Sequence, residues 1–282
     1  MVKIAAVQMQ TDLMNPDANL SSVVSRIHDA ALMGAKLAVF PECALTGYSL
    51  TSEEAHEVAE AIPGPRLLKL TSACEAEDML AVVGTLESDE EGRVFNTAML
   101  VGPTGLLGRY RKTHLPFLGV DRFLAAGSSI NGPFATAVGM LGLLICYDLR
   151  FPEPIRALAL SGAQAILLPT AWPASATLYP EFMAQSRSAE NSLFLVAANH
   201  CGEERGTRYL GRSIITDPNG EVLAEAGPKD DEILCAEIDL SRSDAKRRVF
   251  VTGEYELDLF GDRRPELYGV LVADATLEEE DT

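Results

Sequence analysis

Basic residues are scarce in this sequence. Its 282 residues hold 23 Lys and Arg against 41 Asp and Glu, a net charge of −18 at pH 7 with a pI near 4.6. Phosphate recognition needs clustered cations, so a nucleic-acid partner is excluded, and an anionic membrane surface with it. Long apolar runs are missing too. The longest, residues 137–146, is about half the ~20 residues that a membrane helix needs. Residues 1–7 read as a short strand and lack the apolar stretch and cleavage site of a signal peptide. The five cysteines, Cys43, Cys74, Cys146, Cys201 and Cys235, are odd in number and widely spaced. They read as reduced thiols of a cytoplasmic protein rather than as a disulfide framework. In that compartment the sequon Asn19-Leu20-Ser21 is a chance match. What the chain does have is apolar mass: 47% hydrophobic residues and a mean hydropathy of +0.08. A disordered acidic protein is poor in such residues, so this one folds around a core.

Short apolar runs alternate with helical patterns along the whole length. Strands are expected at 2–8, 36–40, 80–86, 96–101, 106–112, 142–146, 165–168, 193–199, 211–216 and 232–238. Helices are expected from Pro16 to a stop at Gly34, and at 66–76, 153–160 and 181–192. Gly102-Pro103-Thr104-Gly105 is a hairpin signal, and Pro218-Asn219-Gly220 a turn. No repeat or flexible linker interrupts the series, so a single α/β domain over 1–272 is expected. Residues 273–282 carry five acidic side chains and no basic one, and read as a solvated, disordered tail. Without that tail, the body still carries −13.

Three polar residues stand at the ends of apolar strands. Pro41 bars continuation of the ladder after 37–40, which places Glu42 just past the sheet. Residues 141–145 deliver Cys146 in the same way, with Tyr147-Asp148 and a helix following. A nucleophile on a sharp strand-to-helix turn lies exposed above a sheet, beside free backbone N–H groups. The second hairpin strand ends in Lys112. Ligand sites in α/β sheets gather beyond the carboxyl ends of strands. Taken singly, each residue has a plainer reading: a buried Cys is a small hydrophobe, and Glu42 and Lys112 are solvated loop charges. Spacing alone does not show that the three ends converge.

The motifs settle the choice. Pro41-Glu42-Cys43-Ala44-Leu45-Thr46-Gly47-Tyr48, Tyr110-Arg111-Lys112-Thr113-His114-Leu115 and the run from Leu144 through Cys146-Tyr147-Asp148 to Glu153 resemble the three signature blocks of the nitrilase superfamily, the carbon–nitrogen hydrolases. The likeness continues through Arg187-Ser188-Ala189-Glu190-Asn191, Gly211-Arg212-Ser213, Asp217-Pro218-Asn219-Gly220 and Asp262-Arg263-Arg264-Pro265. The resemblance implies an αββα sandwich that dimerises through helices into a four-layer assembly, and a catalytic set of Glu42, Lys112 and Cys146. It implies no metal or organic cofactor. In that scheme Glu42 takes and returns the thiol proton, while Lys112 and the Tyr147 N–H hold the oxyanion. The three residues are expected to titrate as a coupled group. Many family members carry a second Glu after the Lys. This chain has only Asp121 there, either as a shortened stand-in or as a partner of Arg122.

Cys-Tyr-Asp at the nucleophile is closer to the amidase branches of that superfamily than to true nitrilases. A small linear carboxamide is the first substrate reading, and an N-carbamoyl (ureido) amino acid the second. Tyr48 and Trp172 are candidates for the pocket wall or for scaffold packing. Arg150 could bind a substrate carboxylate, or lock its own loop through Asp148 or Glu153. Three competing readings remain: a papain-like pair of Cys146 with His114 or His200, a metal site on His200-Cys201, and a catalytically silent scaffold.

Overall fold

The protein is described here by a computed structural model covering residues 1–273. The acidic stretch beyond Ala273 lies outside the described residues. Contacts divide the chain into two compact units, Met1–Asp244 and Ala245–Thr282.

In the first unit the chain begins with β1 (Val2–Gln8), α1 (Pro16–Leu32), β2 (Leu37–Val39), α2 (Ser52–Val58), α3 (Pro65–Glu77), β3 (Leu80–Ser88), β4 (Val94–Gly102) and β5 (Gly105–Arg111). It continues through β6 (Phe134–Ala135), β7 (Met140–Leu143), α4 (Pro152–Leu160), β8 (Ala165–Thr170), α5 (Ala184–Asn191) and β9 (Phe194–Asn199). A short ribbon follows, β10 (Glu203–Glu204) with β11 (Thr207–Arg208), and then β12 (Ile214–Thr216), β13 (Val222–Glu225) and β14 (Glu232–Ile238).

Two six-stranded sheets result, ordered β14-β1-β2-β3-β4-β5 and β13-β12-β9-β8-β7-β6. Parallel pairs β1–β2–β3 and β7–β8–β9 form their centres, and antiparallel strands flank them. The sheets meet face to face through β1 with β9 and β3 with β8. Helices α1 and α3 cover the first sheet, and α4 and α5 the second. This is the αββα sandwich expected. Strands buried on both faces explain the continuous apolar runs: every residue of β8 and β9 is buried. Helix α1 starts where Asn15 Oδ1 accepts from the Ala18 N–H and Pro16 sets the first turn. Its buried Leu20, Val23, Ile27 and Ala30 recur at helical spacing and join the core under β1 and β2. The expected hairpin is β4–β5, turned by Pro103-Thr104.

Two strands are shorter than their apolar runs suggest. Strand β2 stops at Val39 and β7 at Leu143, so Glu42 and Cys146 each lie three residues past a strand, whereas Lys112 follows β5 directly. Cys146 opens an unexpected 3-10 turn, Cys146–Arg150, before α4. Helix α2, with its Thr51/Glu54 capping box, was also not expected.

The second unit holds the antiparallel hairpin β15 (Arg247–Val251) and β16 (Tyr255–Asp258), followed by 3-10 turns at Pro265–Leu267 and Gly269–Val272. No element was expected there. No helix among the described residues is long and apolar enough to cross a membrane.

Candidate active site

Three chain segments bring the expected residues together. The turn after β2 carries Glu42, with its backbone N–H donated to the Thr170 carbonyl at the end of β8. This ties the acid of one sheet to the other sheet. Gly84 on β3 backs the same turn. A Cβ there would fall 2.4 Å from the Pro41 carbonyl oxygen and 2.6 Å from the Cys43 nitrogen. The backbone of Glu42 therefore rests directly on a glycine. Lys112 is set by the β5 ladder and by its own N–H on the Asn96 carbonyl. Cys146 has φ of 46°, a left-handed conformation that non-glycine residues adopt only under constraint. That is the sharp turn expected at the nucleophile, but Cys146 is buried rather than exposed.

The Lys112 ammonium lies 2.6 Å from Glu42 Oε1 and 2.5 Å from Asp121 Oδ2. Asn96 donates from one amide nitrogen to Glu42 Oε1 (2.7 Å) and to Asp121 Oδ1 (2.9 Å). The Tyr48 hydroxyl donates to Asp121 Oδ2 at 2.8 Å, and the Lys112 nitrogen lies 5.8 Å from the Tyr48 ring centroid. Glu42 Oε2 is buried with no hydrogen-bond partner at ordinary geometry. Glu42 and Lys112 are wholly buried and Asp121 is 2% exposed, while Cys146 keeps 7%. Cys146 is thus the least enclosed member of the group, though it too is buried.

Burial and charge set the protonation states. Desolvation raises Glu42 to about 7; Lys112 opposes that rise and Asp121 adds to it. Burial works against the charge of Lys112, yet the Asp121 and Glu42 carboxylates outweigh it and hold its pKa well above the ordinary lysine value. Burial pushes the Cys146 thiol well up, and Glu42 pushes it further against Lys112 and the Ala171 N–H. At rest the sulfur therefore keeps its proton beside a carboxylate that titrates near neutrality.

The remaining candidates fall around this centre. Asp121 is joined to Lys112, and the Arg122 Nε donates to the Gly119 carbonyl instead. Tyr147 follows the nucleophile, with its ring edge-on to Phe151 at 5.2 Å. Trp172 is fully buried, stacked on Tyr179 at 5.1 Å, with Nε1 lacking a partner. The Arg150 guanidinium lies 5.5 Å from the Tyr179 ring centroid. His200 donates from Nε2 to the Glu42 carbonyl oxygen at 2.6 Å, whereas the Cys201 thiol donates to Asp231. These neighbours serve different partners and do not converge as a metal site requires. Sequence reasoning missed Asn96, whose signal was an amide in a wholly buried strand, β4. It also missed the acceptor role of Asp148 and the buried Glu204, which accepts from the Tyr48 and Ser49 N–H groups, Thr11 and Tyr209.

Comparison with known proteins agrees with this arrangement. The sequence model described as carbon-nitrogen hydrolase matches residues 3–248. A nitrilase of Pyrococcus abyssi is 38% identical over 95% of this chain and 99% of its own length. The omega-amidase NIT2 of Homo sapiens is 30% identical over 95% of this chain and 97% of its own. Among solved structures, the amidase of Nesterenkonia sp. AN1 superposes with a TM-score of 0.79 at 27% identity, over 96% of this chain and all of that one. A variant of that amidase carries the acetamide moiety of fluoroacetamide covalently added at its active-site cysteine. The chain belongs to the carbon-nitrogen hydrolases of the nitrilase superfamily, enzymes that act on C–N bonds other than peptide bonds.

Proposed function

We propose that the protein hydrolyses a small linear carboxamide to its carboxylate and ammonia through a thioester on Cys146. The observation that carries this reading is Glu42: one carboxylate oxygen is held by Lys112 and Asn96, and the other is buried and unpartnered in the electrostatic range of the Cys146 thiol. Glu42 takes the thiol proton as sulfur attacks the carbonyl carbon. Lys112 and the Tyr147 N–H hold the oxyanion, each donor being worth about 2.7–4 kcal/mol. The tetrahedral intermediate collapses, the C–N bond breaks, and Glu42 returns the proton to the departing ammonia. Glu42 then deprotonates a water that attacks the thioester, and the released thiolate recovers its proton. Asp121 holds the Lys112 ammonium and Tyr48 holds Asp121, while Trp172 walls the pocket. The same reading includes a homodimer in the cytoplasm and a body of residues 1–272.

The amidases among the relatives support an amide, and the Pyrococcus abyssi nitrilase keeps a nitrile among the substrates to be tried beside a ureido acid. Ammonia release from a panel of all three classes sorts them, and silence across the panel would revive the scaffold reading. Mass spectrometry of the acid-quenched protein under substrate is expected to find the acyl group on Cys146. Finding it on Cys43 or Cys201 would refute the assignment. Glu42→Gln is expected to abolish turnover, and full activity in that variant would sink the mechanism.

A further inference from the structure

Lys112 and Cys146 belong to different sheets, following β5 and β7, so no backbone ladder sets the distance between them. One side chain spans the gap. Asp148, wholly buried, accepts from both flanks. From the nucleophile side, the Ile145 N–H donates to Oδ2 at 2.9 Å. From the lysine side, the Tyr110 hydroxyl donates to Oδ2 at 2.9 Å. The Thr113 hydroxyl (3.3 Å), the His114 N–H (3.2 Å) and His114 Nδ1 (2.7 Å) all reach Oδ1. The residue before the nucleophile and the two after the lysine are thus held by one carboxylate. The shortest of these bonds comes from His114, whose ring stacks on Phe151 at 4.0 Å and 17°. Phe151 lies directly before α4, so the ring is fixed from the nucleophile side as well.

We propose that Asp148 and His114 form a positioning bridge that holds the Lys112 ammonium and the Cys146 sulfur in register across the two sheets. The inference rests on the thioester reading above and adds two residues to it, neither of which touches the reacting atoms. Five hydrogen bonds are enough to stabilise a turn, so a purely structural role must be separable by experiment. An error of about 1 Å between reacting groups costs on the order of 100-fold in rate, whereas loss of a turn anchor alone lowers stability and leaves the folded fraction fully active.

The test compares His114→Ala with His114→Asn, whose amide N–H stands close to where Nδ1 stands. On the best carboxamide of the panel, His114→Ala is expected to lower kcat about 10–100-fold with KM within about twofold, the mark of an interaction that matters only in the transition state. His114→Asn is expected to recover most of kcat although it lacks the stacked ring. Asp148→Asn, which turns one acceptor oxygen into a donor facing other donors, is expected to lose at least as much as His114→Ala. Wild-type kcat in His114→Ala, or equal losses in the Ala and Asn variants, would overturn the bridge, as would a fall in melting temperature with kcat intact. The quenched wild-type adduct separates the two failures. Acyl-Cys146 in the wild type with an unaffected His114→Ala rejects the bridge alone, and no acyl-Cys146 in the wild type rejects the thioester reading and the bridge with it.

Discussion

Glu42 and Asp121 share a single buried ammonium, that of Lys112. Two carboxylates and one cation out of water leave one negative charge unbalanced, and the system relieves it by keeping a proton on Glu42 up to about pH 7. Two consequences have opposite signs. Since the folded-state pKa stands above the ordinary 4.5, Glu42 favours the folded state fully below about 4.5, and that contribution fades as pH rises through about 7. Activity runs the other way, because only ionised Glu42 can take the Cys146 proton. The acid limb of kcat/KM is therefore expected near pH 7. Asp121→Asn removes a neighbouring negative charge that adds to the rise of Glu42, so the limb is expected to move to lower pH by about 1 unit while kcat falls as Lys112 loses an anchor. Glu42 faces Lys112, Asp121 and Cys146, and of these Asp121 is the charge removed. A pH–rate profile on the variant decides it: a limb that stays put would show that Asp121 adds nothing and that desolvation, opposed by Lys112, raises Glu42.

At the scale of elements, the site depends on turns more than on strands. Glu42 sits on a turn whose backbone lies against Gly84, and Gly84→Ala would force a Cβ to within 2.4 Å of a carbonyl oxygen. The backbone must then move, and overpacking of this kind costs about 1–3 kcal/mol. The variant is expected to melt at lower temperature and to lose activity beyond what its folded fraction explains, because the shift is passed to Glu42. Circular dichroism melts beside kcat on the folded protein measure both. Wild-type kcat in the folded fraction would show that the turn tolerates the methyl group. The same turns mark what the sequence revealed and what it did not. Lys112 at the end of β5 was legible, because the hairpin turn fixes where β5 begins. Glu42 and Cys146 were legible as residues but not as geometry. Apolar runs 37–40 and 141–145 continue past the last residues of β2 and β7, since residues buried on both sides are apolar whether or not they belong to a strand. The bridges across the sheets were illegible. Asn96, Asp148 and Glu204 are far in sequence from most of the groups they hold, and a polar residue inside a buried segment does not name its partner. The hairpin β15–β16 escaped because its exposed Val249, Phe250 and Tyr255 carry no period that points to a core.

For the whole molecule, charge and apolar surface oppose one another. A chain of −18 repels its own copies, while Leu160 at the end of α4 and Leu178 and Phe182 ahead of α5 stand exposed at 44%, 39% and 61%. Single exposed apolar residues are ordinary, but three beside two helices of one layer are the place where the proposed homodimer would cover apolar surface. Association driven this way has a salt signature. Screening shortens the range of the repulsion to about 10 Å at 0.1 M and about 3 Å at 1 M, and leaves the apolar contribution in place. Light scattering on the eluted protein is therefore expected to give twice the 30.3 kDa of the chain, with the dimer fraction at a given dilution rising with sodium chloride. Phe182→Glu, which adds charge where the apolar surface is to be covered, is expected to shift the equilibrium towards 30.3 kDa and to weaken the dimer most at low salt. A monomer mass at every concentration and salt would remove the dimer from the reading. A dimer indifferent to Phe182→Glu would place the interface on another face and leave these helices to solvent.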